Sequence, residues 1–273
     1  MKNQMNATSS SYYDSIAKDY DTLFLDPLSE AENEVVQSDL NDIIRKINKR
    51  RIRVLDLGCG TGLGLDLIEA IAKKLNIEVD YYGIDISQSM IDIAKSKYGS
   101  ASVHLCQGDM GILPVYIQSI EFDLVLSLFG SFSHTRNARS LITELLKKYT
   151  TNRAVLYLMT YSRFSFKNLY AFIKSFNWGK LSFAQQYNIR NSQVDSSCKA
   201  YFYCPARIKK IIPIAFHKKI KFKTINGIFE IPLFKRLIKK MRTSSIYSIL
   251  KFERSLLSHV PSLGHSLVTI IEK

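Results

Sequence analysis

Apolar and polar positions follow two alternating periods along the chain. Between residues 11 and 24, Tyr13, Ala17 and Tyr20 fall at helical spacing, and Asp26-Pro27 breaks that element. From Glu30 to Lys49, Val36, Leu40, Ile43, Ile44 and Ile47 recur on one side, which predicts an amphipathic helix. The apolar run from Ile52 to Leu57 predicts a strand, and Leu65, Ile68, Ile71, Ala72 and Leu75 give the next segment a buried helical stripe. The same alternation continues. A strand over 77–84 ends at Asp85, and a helix follows that Ser87 or Ser89 caps, with Asp92 three residues beyond Ser89 as in a capping box. A short strand over 102–106 and one beginning at Phe122 that reads as fully buried come next. Helix Asn137 to Tyr149 then turns inward Leu141, Ile142, Leu145 and Leu146, and leads through Thr151-Asn152 to a strand from Ala154 to Met159. Five strands interleaved with helices predict an α/β fold with a parallel, doubly wound sheet.

The stretch from Tyr161 to Tyr203 breaks the alternation. It holds an aromatic helix-like run from Phe164 to Phe176, the single tryptophan, and strand-like pieces at Leu181–Ile189 and Ala200–Cys204. Pro205 suits the first turn of a short helix that Pro213 stops. Lys218 to Thr224 alternates basic and apolar residues as an edge strand does, and Ser262 to Lys273 contains a last strand. Between them, Leu233 to Arg242 and Ile246 to His259 read as basic amphipathic helices. Leu233, Leu237 and Ile238 share a face there, with Lys235, Arg236, Lys239 and Lys240 around it.

The first predicted strand runs into Asp56-Leu57-Gly58-Cys59-Gly60-Thr61-Gly62. Apolar strand, glycine turn, helix start is the sequence form of a nucleotide-binding crevice at a strand's carboxyl end. The dinucleotide fingerprint G-x-G-x-x-G does not fit, because its third glycine position falls on Leu63 or on Leu65. The spacing is Asp-x-Gly-x-Gly-x-Gly, with an acid at the strand tip. That carboxylate repels a pyrophosphate and favours a cationic amine. The exposed N–H groups of the following helix favour a carboxylate.

This turn resembles motif I of the class I S-adenosylmethionine-dependent methyltransferases. The resemblance covers Tyr12 to Thr160 well and Cys204 to Lys273 loosely. It implies a seven-stranded, mostly parallel Rossmann-like sheet whose last strand is antiparallel, with S-adenosyl-L-methionine as cofactor. The segment Tyr12-Tyr13-Asp14-Ser15-Ile16-Ala17-Lys18-Asp19-Tyr20-Asp21 resembles the family's opening element, which closes over the cofactor; Tyr13 and Tyr20 either touch it or simply pack a helix on the core. Asp56, Gly58, Cys59, Gly60 and Gly62 form the turn. Asp85, 23 residues past Gly62, stands where an acid accepts both ribose hydroxyls, and Ile86 and Met90 match the stretch that packs on adenine. Asp109 and Met110 follow Gly108 as in the family's adenine-edge motif; Asp109 alternatively caps the turn before Leu113-Pro114. Ser127 through His134, at the exit of the fourth strand, lie near the reactive methyl. Ser127-Leu128-Phe129-Gly130 lacks the Asn/Asp-Pro-Pro-aromatic signature of amino-group methylation on adenine or glutamine. The resemblance divides the chain into N-terminal helices and cofactor core over 1–160, a lid insertion over 161–203, and a C-terminal completion of the sheet over 204–273.

Composition adds few restrictions. The formal charge of +14 is concentrated late in the chain, where Cys204 to Arg254 holds fourteen Lys/Arg against Glu230 and Glu253. Such a face meets nucleic acid, an anionic membrane surface or an acidic substrate, or is merely solvated. The four cysteines, at 59, 106, 198 and 204, have no metal-ligand spacing, and none of the chemistry expected here needs a metal. No apolar run approaches the roughly 18 residues of a membrane span, and Met1 to Ser11 is polar, so the expected address is cytoplasmic. The expected activity is methylation of a small-molecule acceptor, at oxygen, with His134 as the general base and Tyr161 as a weaker alternative. RNA or a lipid-linked substrate engaged by the basic third is a second expectation, and a non-catalytic cofactor-binding partner a third.

Overall fold

The computed structural model describes residues 2–187, 198–231, 234, 237, 238 and 240–273. Seven strands form one sheet: β1 (Arg51–Leu57), β2 (Glu78–Asp85), β3 (Val103–Gln107), β4 (Phe122–Ser127), β5 (Thr150–Tyr161), β8 (Ile220–Ile225) and β9 (Ser266–Glu272). Their order is β3-β2-β1-β4-β5-β9-β8. The first five are mutually parallel, and β9 runs antiparallel between β5 and β8. A separate antiparallel pair, β6 (Ala184–Tyr187) and β7 (Cys198–Tyr201), lies in the segment after β5. The strand piece predicted to reach Ile189 runs beyond the described residues, as does much of the helix predicted over 233–242.

Strand alternation assembles the core. Ile52 and Val54 of β1 and Leu124 and Leu126 of β4 point to one face of the sheet. Leu55, Leu57 and Val125 point to the other. The first face is covered by α2 (Pro27–Ile47), α3 (Leu63–Leu75) and a late helix, here called α8 (Thr243–Leu256). The second is covered by α5 (Ala138–Glu144), its continuation as a π-turn over Leu145–Tyr149, and α7 (Pro205–Ile211). α1 (Lys2–Ile16) and α4 (Gln88–Lys97) pack on one another at the carboxyl end of β2, and α6 (Phe166–Ser175) opens the insertion.

Local chemistry sets the element ends. Asp26 caps α2 by accepting from the backbone N–H of Leu28 at 3.0 Å and of Ser29 at 3.3 Å, with Pro27 in the first turn. Ser87 caps α4 through Met90 N at 3.2 Å. The predicted Ser89/Asp92 box does not form, because Ser89 lies inside the helix and Asp92 accepts from Gln88 instead. The predicted break at Thr151-Asn152 is also absent. Thr150 bonds back to Leu145 O at 2.8 Å and Thr151 to Asp123 Oδ1 at 3.0 Å, so β5 starts directly from the π-turn. The opening helix ends at Ile16, Ala17 begins a short 3-10 turn, and Tyr20 stands between that turn and a second one over Asp21–Phe24.

One polar cluster ties the late segments to the first face. Asp39 of α2 is buried and accepts from Lys223 of β8 at 2.7 Å, from the Tyr157 hydroxyl of β5 at 2.9 Å and from the Arg254 guanidinium of α8. Burial pushes the Asp39 carboxyl up, but Arg254 and Lys223 outweigh it and hold the group below the ordinary carboxylate range. Its stabilising contribution is therefore present above the unfolded aspartate pKa and is lost as pH falls through the lower folded value. Asp39→Asn leaves two cations facing a neutral group. It should cost about 3 kcal/mol, a fall in thermal midpoint of about 2–4 °C for each kcal/mol, measured by scanning calorimetry at pH 7. A midpoint within error of the parent would refute the network's role.

Candidate active site

The carboxyl ends of β1, β2 and β4 meet at one edge of the sheet, and a cavity opens between them. Its floor is the turn after β1. Gly58 and Cys59 both donate backbone N–H to Ile84 O, at 2.7 and 3.0 Å, so the turn is sewn to the tip of β2. Gly58 has φ +82°, and a Cβ there would stand 2.5 Å from the Ser131 Cβ. Only glycine fits, since both the backbone angle and the space are closed to side chains. The β4 exit loop comes this close because Ser131 donates its hydroxyl to Gly58 O at 3.1 Å. Gly130, at φ +88°, faces the Tyr161 ring with room for no Cβ.

Asp85 completes the floor. Its Oδ2 accepts from Gly60 N at 2.9 Å and its Oδ1 from Ser87 N at 2.9 Å. Desolvation raises its pKa, and the two N–H bonds oppose that without cancelling it. An ionised carboxylate has roughly four acceptor sites, so two remain for a diol. On the far wall, Asp109 accepts from Gly111 N at 2.8 Å and also lines the cavity beside Met110. Asp109 thus caps a turn and faces the cavity at once.

The roof is α1. Asp14 Oδ1 accepts from the Ser87 hydroxyl at 2.6 Å and from Ser89 N at 3.1 Å, and Ser10 donates to Ile86 O at 3.2 Å. These bonds place Ser9, Tyr13 and, past the helix end, Tyr20 over the floor. His134 closes the acceptor side. Its Nε2 is 3.1 Å from the Tyr13 hydroxyl, and its Nδ1 is 3.2 Å from Lys199 O in β7. A carbonyl can only accept, so Nδ1 carries the proton and Nε2 accepts from the Tyr13 hydroxyl. The imidazole is buried, which lowers its pKa to about 4 against the smaller upward pull of the Lys199 carbonyl. It is neutral throughout the physiological range.

Tyr13, Tyr20, Gly58, Gly60, Asp85, Ile86, Met90, Asp109, Met110 and His134 therefore line one cavity. Five predicted residues do not. Asp56 lies behind the turn, 1% exposed, with Oδ2 accepting from Tyr81. It cannot present the open carboxylate that its sequence position suggested. Burial raises its pKa to about 6, and Oδ1 is buried with no hydrogen-bond partner. Cys59 is buried against Gly83. Gly62 serves as the N-cap of α3 at φ +103°, under the Tyr98 ring. Ser127 is fully buried and donates to Leu57 O at 2.7 Å, which fixes β4 to β1 rather than meeting a ligand. Tyr161 stands behind His134, ring centroids 5.8 Å apart, outside the lining.

Ser9, Ile84, Gly108 and Thr135 line the cavity without having been singled out, and Phe129 and Ser131 were implied only by a range. Ser9 lies in a polar run with no visible period. Ile84 and Gly108 are the residues before Asp85 and Asp109, so their position was available from the strand ends.

The fold and this site define a class. Residues 54–149 match the family model described as a methyltransferase domain. An uncharacterized protein of Methanocaldococcus jannaschii, MJ1252, is 33% identical over half of this chain and 46% of its own. A malonyl-[acyl-carrier protein] O-methyltransferase of Priestia megaterium is 25% identical over 54% of this chain and 50% of its own. The chain thus spans about half the length of these curated relatives. Among solved structures, a plantazolicin methyltransferase, BamL, in complex with a triazolic desmethylPZN analog and SAH, superposes with a TM-score of 0.59. It shares 15% identity, with 98% of this chain and 95% of that one covered, and so shares the fold.

The side chains present suit that class's cofactor. The floor excludes any Cβ at Gly58, Asp85 keeps acceptor sites for a ribose, and an unpartnered acid oxygen lies buried behind the turn, at Asp56 Oδ1. Asp85→Ala should abolish the rise in melting temperature that S-adenosylhomocysteine gives the parent, a rise equivalent to about 2.7 kcal/mol at a hundred times Kd. Thermal shift with and without the ligand reads this directly. A retained shift would exclude Asp85 from the site.

Proposed function

We propose that the chain is a methyltransferase acting on an oxygen of a small acceptor. The observation that carries this reading is the facing pair within one cavity: the glycine turn with Asp85 on one side, and on the other the neutral His134, whose Nε2 accepts from the Tyr13 hydroxyl that lines the same cavity. The relative in Priestia megaterium, named as an O-methyltransferase, agrees with an oxygen acceptor. S-adenosylmethionine would supply an electrophilic methyl on a sulfonium centre.

This chain's residues then have distinct tasks. The side-chain-free turn and Asp85 hold the nucleoside, Asp109 and Met110 face its base, and Tyr13 and Tyr20 shut the roof against water. Alignment of acceptor and donor supplies up to roughly 7–11 kcal/mol of the barrier reduction, and a base adds about 10²–10⁴-fold. Placement carries most of the rate, which suits a histidine whose burial weakens it as a base. The acceptor's proton reaches His134 through the Tyr13 hydroxyl, which gives its own proton to Nε2 and takes the acceptor's in exchange. The Nδ1–H bond to Lys199 O keeps the ring in the tautomer this needs.

The acceptor class is tested by incubating the protein with labelled cofactor and host extract, then separating metabolites, lipids and RNA. Label on an oxygen of a small metabolite is expected; label in the RNA fraction would overturn the reading. His134→Ala should lower kcat by about 10²–10⁴-fold while leaving the S-adenosylhomocysteine thermal shift intact. Because the base is active only when neutral, the acid limb of the parent kcat profile should fall near pH 4, the value to which burial moves this ring. An acid limb near pH 6.5, the ordinary histidine value, would mean that another group titrates.

A further inference from the structure

The insertion after β5 turns large apolar side chains outward. On α6 and the turn behind it, Tyr170 is 45% exposed, Ile173 66%, Phe176 80% and Trp178 75%. Asn168 is the buried residue of this helix. The side chains are not scattered: the Phe172 ring lies 4.7 Å from Trp178 and 6.4 Å from Phe176, centroid to centroid. Contiguous exposed apolar area of this kind marks an interaction surface.

Phe176 adds an independent sign. It ends α6 in the left-handed region, at φ 49°, where glycine or asparagine is the usual occupant and a bulky residue is strained. Its ring recovers little of that cost by burial within the chain. Cover from outside the chain would bury the ring and offset that cost.

Position and charge indicate what. Because β5 is parallel to β1 and β4, the insertion leaves the sheet at the edge where the cavity opens. Ile112 and Val115, in the loop that follows β3 and carries Asp109 and Met110, are also exposed at that edge. Lys174 and Lys180 stand exposed among the aromatic residues of α6 and its following turn. Tryptophan, tyrosine and phenylalanine interleaved with lysine form the chemistry of an interface between water, anionic headgroups and acyl chains. The formal charge of +14 attracts the same surface from a distance.

We propose that this apolar, lysine-studded rim docks the protein on an anionic lipid surface, with the cavity edge toward the bilayer. The docking rests on the rim alone, so it can fail while the methyl-transfer reading stands, and the reverse.

Trp178 is the one tryptophan in the chain, so intrinsic tryptophan emission reads this rim directly. With phosphatidylcholine vesicles containing phosphatidylglycerol, the emission should shift to the blue and become protected from iodide. Both effects should weaken with added salt and be small with phosphatidylcholine alone. Phe176→Gly combined with Ile173→Ser should lose co-sedimentation with these vesicles, keep the S-adenosylhomocysteine thermal shift, and melt no lower than the parent, since glycine relieves the left-handed strain. Sedimentation with unmoved emission would assign binding to the basic C-terminal segments and overturn the proposal. So would absence of sedimentation, or a lipid-independent, concentration-dependent blue shift, which would mean that a second copy covers the rim.

Discussion

The peptide path from Leu57 to Gly62 must cross between the tips of β1, β2 and β4 with no side chain in the way, and the rest of the site is built on that crossing. Two N–H groups of the turn go to Ile84 O and a third to Asp85 Oδ2. The same two residues of β2 thus hold the turn and shape the cavity floor. Ser131 holds it from the β4 side through Gly58 O. Replacing any of these partners would move the floor and the ribose-facing acid together, because one backbone segment serves both. Binding geometry and strand pairing are therefore a single problem in this fold.

The cavity's electrostatics follow from its enclosure. Burial raises the pKa of Asp56 to about 6 and lowers that of His134 to about 4. The shifts have opposite signs but one cause, since each disfavours the charged form. At neutral pH the histidine stays neutral, while Asp56 remains mostly ionised yet poorly compensated, with one oxygen unpartnered. A cationic group arriving above the glycine turn would relieve that charge across the turn, without direct contact.

The sheet was legible because apolar period and strand length agree for parallel strands buried on both faces, as in Leu124-Val125-Leu126. The glycine turn, Asp85 and Asp109 were legible because backbone demands at strand tips restrict residue type. What could not be read was direction. Ser127 and Gly60 are equally small residues near strand ends, but one points into the β1/β4 contact and the other into the cavity. The roof was half legible. Tyr13 and Tyr20 stood out by spacing, whereas Asp14, whose bonds to Ser87 and Ser89 fix the helix, looked like any surface acid. Lys199 O was invisible, since any residue can supply a carbonyl and only the fold brings β7 to His134.

Charge was the least transparent feature. The basic C-terminal third suggested a face for an anionic partner, yet part of its charge is used internally. Lys223 and Arg254 converge on Asp39, and Lys221 pairs with Glu272 across the β8/β9 ladder. α8 meanwhile buries Ile246 and Leu250 in the core that α2 and α3 share. A count of lysines along a sequence cannot separate charges that bind one another from charges that face outward. Exposed aromatic residues divide more cleanly, because burial is their default and each exception costs solvation free energy. Around the cavity edge several of those exceptions gather, with a left-handed backbone at Phe176, so the apolar residues there, rather than the abundant basic ones, mark the face proposed to meet a partner.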